Sequence, residues 1–127
     1  MRKRVLLVED EPNIIEAIRF ILSRDGWAVD THSNGATAVE AVSARAPDVI
    51  VLDVMLPGKS GFDILRELRE APATANLPVL MLTAKGQGRD RELAERYGAT
   101  RFMTKPFSNA EVLQAVNALQ SGATEGA

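Results

Sequence analysis

The sequence predicts an α/β fold: a single doubly wound domain in which five strands alternate with five helices around one parallel sheet covered on both faces. Three observations point there. Short apolar runs recur between stretches whose apolar residues return at helical spacing, and Gly, Pro or Asn marks many of the junctions. The run Val49-Ile50-Val51-Leu52 is apolar at every position, as suits a central strand with helices on both sides. Strand and helix then alternate throughout, which implies parallel pairing with right-handed crossovers.

The elements follow in order. Val5-Leu6-Leu7-Val8 reads as the first strand and ends on Glu9-Asp10-Glu11. Pro12 suits a first helical turn, where its missing N–H is no loss, so a helix begins there with Ile14, Ile18, Ile21 and Leu22 along one side. Asp25-Gly26 stops it, Gly supplying the left-handed residue. Trp27 to Thr31 is the second strand, and Ser33-Asn34-Gly35 turns the chain into a helix carrying Ala38, Val39 and Val42. Ala46-Pro47-Asp48 leads into the third strand, which ends on Asp53 and breaks at Pro57-Gly58.

Past Gly61, the third helix sets Phe62, Ile64, Leu65 and Leu68 against Arg66, Glu67, Arg69 and Glu70 on its polar side. The fourth strand runs from Leu77 to Leu82 and ends on Thr83-Ala84. A loose backbone is expected between Gly86 and Gly88, then a strongly charged helix from about Arg89 to Tyr97, with Leu93 and Ala94 as its apolar contacts and Gly98 as its stop. Arg101 to Thr104 is a short fifth strand. After Lys105-Pro106 comes a last helix from Asn109 to Gln120, capped by Ser108. It turns Val112, Val116 and Leu119 inward and shows Ala110, Gln114, Ala115, Asn117 and Ala118 as a small neutral face for a partner or output segment. Residues 1–120 thus read as one domain and residues 121–127 as a flexible tail or the start of a linker.

The 127 residues suffice for one domain with a real core. Fifteen basic and seventeen acidic residues leave a formal charge of -2, which offers no general attraction for nucleic acid or an anionic membrane. With no cysteine, disulfides, thiolate chemistry and cysteine-ligated zinc are excluded. The apolar run after Met1-Arg2-Lys3-Arg4 is too short for a signal peptide, and no stretch is long enough to span a bilayer, so a soluble cytoplasmic protein is expected.

In open parallel sheets, ligands bind beyond the carboxyl ends of the strands. To that edge the chain brings Glu9 and Asp10 after the first strand, Asp53 after the third, Thr83 after the fourth and Lys105 after the fifth. Asp53 alone could equally be a strand-ending residue, since Asp is common beside turns. Three crowded carboxylates, however, must shift a pKa or bind a metal, and an all-oxygen donor set selects a hard cation such as Mg²⁺. A solvated acidic rim is the bland alternative. Lys105 and Thr83 can supply a charge and a hydroxyl to an oxyanion near Asp53, whose carboxylate can act as a nucleophile towards phosphorus. Without a phosphoryl group, Lys105 is expected to bridge to Asp10 or Asp53.

The segments VLLVEDE, VLDVMLPG, MLTAK and MTKPF, in this order and spacing, resemble the receiver domain of bacterial two-component response regulators over essentially residues 4–120. The resemblance implies a flavodoxin-like fold with strand order 2-1-3-4-5. It also implies that Asp53 accepts a phosphoryl group from a phosphohistidine of a sensor kinase or phosphotransfer protein. Asp10, Asp53 and the backbone carbonyl of Met55 would ligate Mg²⁺, Glu9 would act through water, and Pro106 would follow a cis peptide bond. Glu9 stands where Asp is commoner, keeping the charge and changing its reach. The family's switch maps onto Thr83 and Phe102, relaying phosphorylation to the surface of the fourth helix, fifth strand and fifth helix, where an output protein or effector domain docks. A plain core aromatic is the alternative for Phe102. Ile14, Pro106 and Phe107 fall where the family docks its phosphodonor, and Met55 and Lys85 flank the pocket where they could tune water access.

Such a domain is a switch rather than an enzyme, catalysing at most its own modification, and contacts neither nucleic acid nor membrane directly. Many DNA-binding members carry an acidic pair before the fifth-strand aromatic and basic residues on the last helix. Here Thr100-Arg101, Gln114 and Asn117 stand there, so that ion-paired dimer is not expected, while a weak or phosphorylation-dependent homodimer stays open. His32 reads as a surface residue and Trp27 as packing. Three other readings are weaker. A haloacid dehalogenase-like phosphatase needs a second Asp where Met55 stands, a flavin carrier would be repelled by Glu9-Asp10-Glu11, and a degenerate receiver would not keep a complete site.

Overall fold

The computed structural model describes residues 3–84 and 88–121. Expectations made for Lys85, Gly86 and the tail beyond Ser121 fall outside the described residues. Five strands, β1 (Lys3–Val8), β2 (Trp27–His32), β3 (Val49–Asp53), β4 (Val79–Thr83) and β5 (Arg101–Thr104), form one sheet in the order β2-β1-β3-β4-β5, every pair parallel. Five helices connect or follow them: α1 (Pro12–Arg24), α2 (Ala38–Arg45), α3 (Gly61–Glu70), α4 (Gly88–Tyr97) and α5 (Asn109–Ser121). Both the alternation and the strand order are as predicted.

Because successive strand side chains point to opposite faces, an all-apolar strand feeds two cores at once. Val5, Leu7, Val49, Val51, Leu80 and Leu82 pack with Ile18 and Leu22 of α1 and Val112, Val116 and Leu119 of α5. Leu6, Val8, Ile50, Leu52, Val79 and Met81 face the other way, onto Ala38 and Val42 of α2, Ile64, Leu65 and Leu68 of α3 and Ala94 of α4. Each fully buried aliphatic side chain contributes about 1.5–3 kcal/mol relative to exposure, so the two cores hold the sheet rigid from both sides.

Local chemistry sets several boundaries. Pro12 opens α1, and Gly26, at φ 94°, follows its end. Ser60 caps α3, its Oγ accepting from the Asp63 N–H. At α5, Ser108 Oγ accepts from the Glu111 N–H while a Glu111 carboxylate oxygen accepts from the Ser108 N–H, a reciprocal capping box. Ala46, after α2, takes a left-handed φ of 48°, which nothing in its side chain announces.

Three expectations about helix faces are corrected. Ala115 is fully buried in the α1/α5 core, because α5 is rotated so that Val112, Ala115, Val116 and Leu119 form its inward stripe. Asn117 is half-buried and accepts from the Trp27 indole N–H. Arg69 is half-buried instead of lying on a wet face, because it donates to the carbonyls of Gly98 (2.9 Å) and Thr74 (3.0 Å) and ties α3 to the turn after α4.

Candidate functional site

Strand order decides where the site lies. β2 flanks β1 on one side and β3 on the other, so the loops leaving β1 and β3 run to opposite faces and leave a crevice at their carboxyl ends. Asp53 is the last residue of β3 and Thr83 the last of β4, while Glu9 directly follows β1 and Lys105 directly follows β5. The backbone locks these ends in register: Glu9 N–H donates to the His32 carbonyl (3.0 Å), Val54 N–H to Leu82 (2.9 Å) and Lys105 N–H to Thr83 (2.7 Å). Two glycines let the loops close in. A Cβ at Gly61 would collide with the Asp53 carbonyl, and one at Gly35 with the Lys59 carbonyl. Gly35 N–H also donates to the Pro57 carbonyl, so the turn after β2 braces the loop after β3.

Glu9 and Asp53 are buried, at 0% and 2% exposure, whereas Asp10 is exposed. One carboxylate oxygen from each can be chosen so that all three lie within 4.8 Å of one another. Lys105 Nζ lies 3.2 Å from Asp53 Oδ1, 3.4 Å from Glu11 Oε1 and 3.7 Å from Glu9 Oε1. Of the two bridges expected, the one to Asp53 forms, and Glu9 and Glu11 are further partners of the ammonium that the sequence reading did not name. Among the described residues, Glu9 Oε1 and Asp53 Oδ1 are buried oxygens with no hydrogen bond, the Lys105 contacts being charge on charge. Glu9 Oε2 accepts from the Glu11 N–H at 3.2 Å.

The electrostatics follow. Burial, and next the charge of Asp53, push the Glu9 carboxyl up to about 7 from its ordinary 4.5. Burial likewise raises Asp53, against the opposing pull of Lys105. At Lys105 burial works to lower the ammonium, but the charges of Asp53 and Glu9 outweigh it and the net shift is upward. The site is thus short of positive charge: one ammonium serves three carboxylates.

Thr83 is buried, and its hydroxyl donates to Asp90 Oδ2 of α4 at 2.8 Å. In the sequence Asp90 is one residue of a strongly charged helix, and no local signal singles it out. Phe102 is half-buried against the α2/α3/α4 core, with the Arg91 guanidinium 5.3 Å from its ring centroid. Met55 lies on the loop after β3 and is 72% exposed. Ile14, Pro106 and Phe107 are brought together beside the acidic pocket, where with Glu11 and Lys105 they line a cleft of about 390 Å³. The Lys105-Pro106 peptide is cis. His32 is half-buried, and its ring shares a 2.7 Å hydrogen bond with the Thr37 hydroxyl.

Comparison with known proteins places this geometry among its relatives. The family model of the response regulator receiver domain matches residues 5–117. The alkaline phosphatase synthesis transcriptional regulatory protein PhoP of Bacillus subtilis is 41% identical over 119 residues, which are 94% of this chain and 49% of PhoP. Indeed, the chain spans about half the length of the curated relatives it matches. Among solved structures, the chemotaxis response regulator CheY4 of Vibrio cholerae superposes with a TM-score of 0.87 at 27% identity, covering 94% of this chain and 99% of that one. The receiver domain of the sensor histidine kinase PA1611 of Pseudomonas aeruginosa, which has a magnesium ion coordinated in its active-site cleft, superposes with a TM-score of 0.86 at 29% identity, covering 95% and 99% of the two chains.

Proposed function

This chain belongs to the response regulator receiver domain family, and we propose that it is a phosphorylation-activated switch of a two-component relay in which Asp53 receives a phosphoryl group from a phosphohistidine. The single observation that carries this reading is the convergence of Asp53, Glu9, Asp10 and Lys105, with the two buried carboxylate oxygens that have no hydrogen bond. Such oxygens are costly in a site meant only for stability and suit one that takes a cation. Asp10 and Asp53, with the Met55 carbonyl, would hold Mg²⁺, and Glu9 would act through water. Bound there, the ion would neutralise charge on the phosphoryl oxygens. Magnesium in the cleft of the Pseudomonas receiver domain supports the same assignment.

The chain's own groups supply the rest. An Asp53 carboxylate oxygen attacks phosphorus, the P–N bond to the donor imidazole breaks, and its electron pair leaves on that nitrogen. Lys105, held 3.2 Å from Asp53, pairs with a phosphoryl oxygen, and the Thr83 hydroxyl donates to another. The apolar cleft of Ile14, Pro106 and Phe107 receives the phosphodonor, a sensor histidine kinase or histidine phosphotransfer protein. Thr83 and Phe102 then bias the α4/β5/α5 surface toward an output partner. This is signalling confined to self-modification, in keeping with the family. Among the described residues no helix is long and apolar enough to cross a membrane, and a cytoplasmic location fits a histidine-kinase partner.

Incubation with a small phosphodonor and Mg²⁺, followed by intact mass, tests the reading. One phosphoryl group is expected, lost with Asp53→Asn and lost on chelation. Phosphate retained by the variant would place the modification elsewhere.

A further inference from the structure

We propose that the first turn of α4 is a latch on the switch, with Asp90 holding the Thr83 hydroxyl and Arg91 holding the Phe102 ring in the unphosphorylated arrangement. The inference rests on the reading above, that Asp53 is modified and that Thr83 and Phe102 respond. It makes Asp90 and Arg91 positioning residues.

The sheet places the two switch residues for a common grip. Phe102 pairs with Met81 in the β4/β5 register, and Thr83 lies two residues beyond Met81, so both side chains leave the same face of the sheet, toward α4. From that helix two consecutive residues reach down to them. Thr83 Oγ1 lies 2.8 Å from Asp90 Oδ2, a charge-assisted hydrogen bond. The Arg91 guanidinium lies 5.3 Å from the Phe102 ring centroid, within cation–π range.

A threonine hydroxyl carries one proton. It can donate to Asp90 or to a phosphoryl oxygen on Asp53, not to both. Turning Thr83 inward therefore breaks the Asp90 bond, and a displacement of the Phe102 ring gives up the Arg91 contact. Because the two holding residues are adjacent in the chain, a turn released by one is loosened for the other. The latch sets how far the resting equilibrium lies from the competent state, and hence how fast a donor without its own binding energy can phosphorylate the site.

The test compares the full chain with Asp90→Ala, Asp90→Asn and Arg91→Ala, each alone and combined with Thr83→Val. In the unmodified protein, Asp90→Ala is expected to move the NMR resonances of the Phe102 ring as well as those of the Thr83 methyl. A Phe102 ring indifferent to residue 90 overturns the latch, whether or not Asp53 takes phosphate. With acetyl phosphate and Mg²⁺, Asp90→Ala should be modified roughly fivefold to tenfold faster than wild type. Asp90→Asn, whose amide oxygen still accepts but without charge, should fall between, and Arg91→Ala should gain about twofold. Asp90→Ala should add nothing once Thr83→Val has removed the donor. Equal acceleration with and without that hydroxyl, or none at all, overturns the proposal. Failure of the wild type itself to take phosphate counts against the functional reading instead, and the resonances then decide the latch.

Discussion

The two ends of the sheet carry similar groups and treat them in opposite ways. At the amino end, the Trp27 indole N–H donates to Asn117 Oδ1 (3.0 Å) and the Asn117 amide donates to Asp25 Oδ2 (3.1 Å). Lys3 Nζ sits 3.5 Å from that same oxygen and 5.0 Å from the Trp27 ring centroid. Donors and acceptors match there, and the chain of contacts fastens α5 to β1 and β2. At the carboxyl end, one ammonium is divided among three carboxylates, and two buried oxygens have no hydrogen bond. A domain under pressure for stability alone would have matched both ends. The mismatch is what the proposed cation and phosphoryl group would relieve.

Lys105→Ala should widen the contrast most. It takes away the cation that Asp53 and Glu9 share, and in metal-free protein at neutral pH should cost about 3 kcal/mol in urea melts, the low end for a broken buried pair because the pocket still meets water. Mg²⁺ or a pH near 5 should restore much of it; a loss insensitive to both would mean that Lys105 acts through packing.

Glu9→Gln should narrow the contrast. With its carboxyl raised from 4.5 to about 7, the folded chain binds more protons than the unfolded one across that window. Metal-free stability therefore falls as pH rises from about 4.5 to 7, and the full cost persists above 7. The Gln variant should gain about 3 kcal/mol at pH 8 and nothing at pH 4, flattening the profile. An unchanged slope would assign the titration to another group.

The smallest effect belongs to the amino end. Asn117→Ala leaves the Trp27 N–H and Asp25 without their shared partner and should cost about 1 kcal/mol. Its rate of modification at Asp53 should stay within about twofold of wild type, since nothing in the pocket depends on that network. A larger change would join the two ends into one unit.

Much of this molecule is written locally. Each apolar run, the Pro12 start and Gly26 stop of α1, the Ser108 cap and the residue types at the strand ends depend on neighbours a few positions away, and a window of sequence contains them. Local order also placed Glu9, Asp10, Asp53, Thr83 and Lys105 on one edge once the strands were taken as parallel. What no window contains is the rotation of one element against another. That rotation buried Ala115, turned Asn117 toward Trp27, gave Lys105 to Glu9 and Glu11 and not to Asp10, and set Asp90 under the Thr83 hydroxyl. Such pairings span up to ninety-six positions along the chain, from Glu9 to Lys105, and they follow from how side chains of two cores interlock across the sheet, a property of the packed whole.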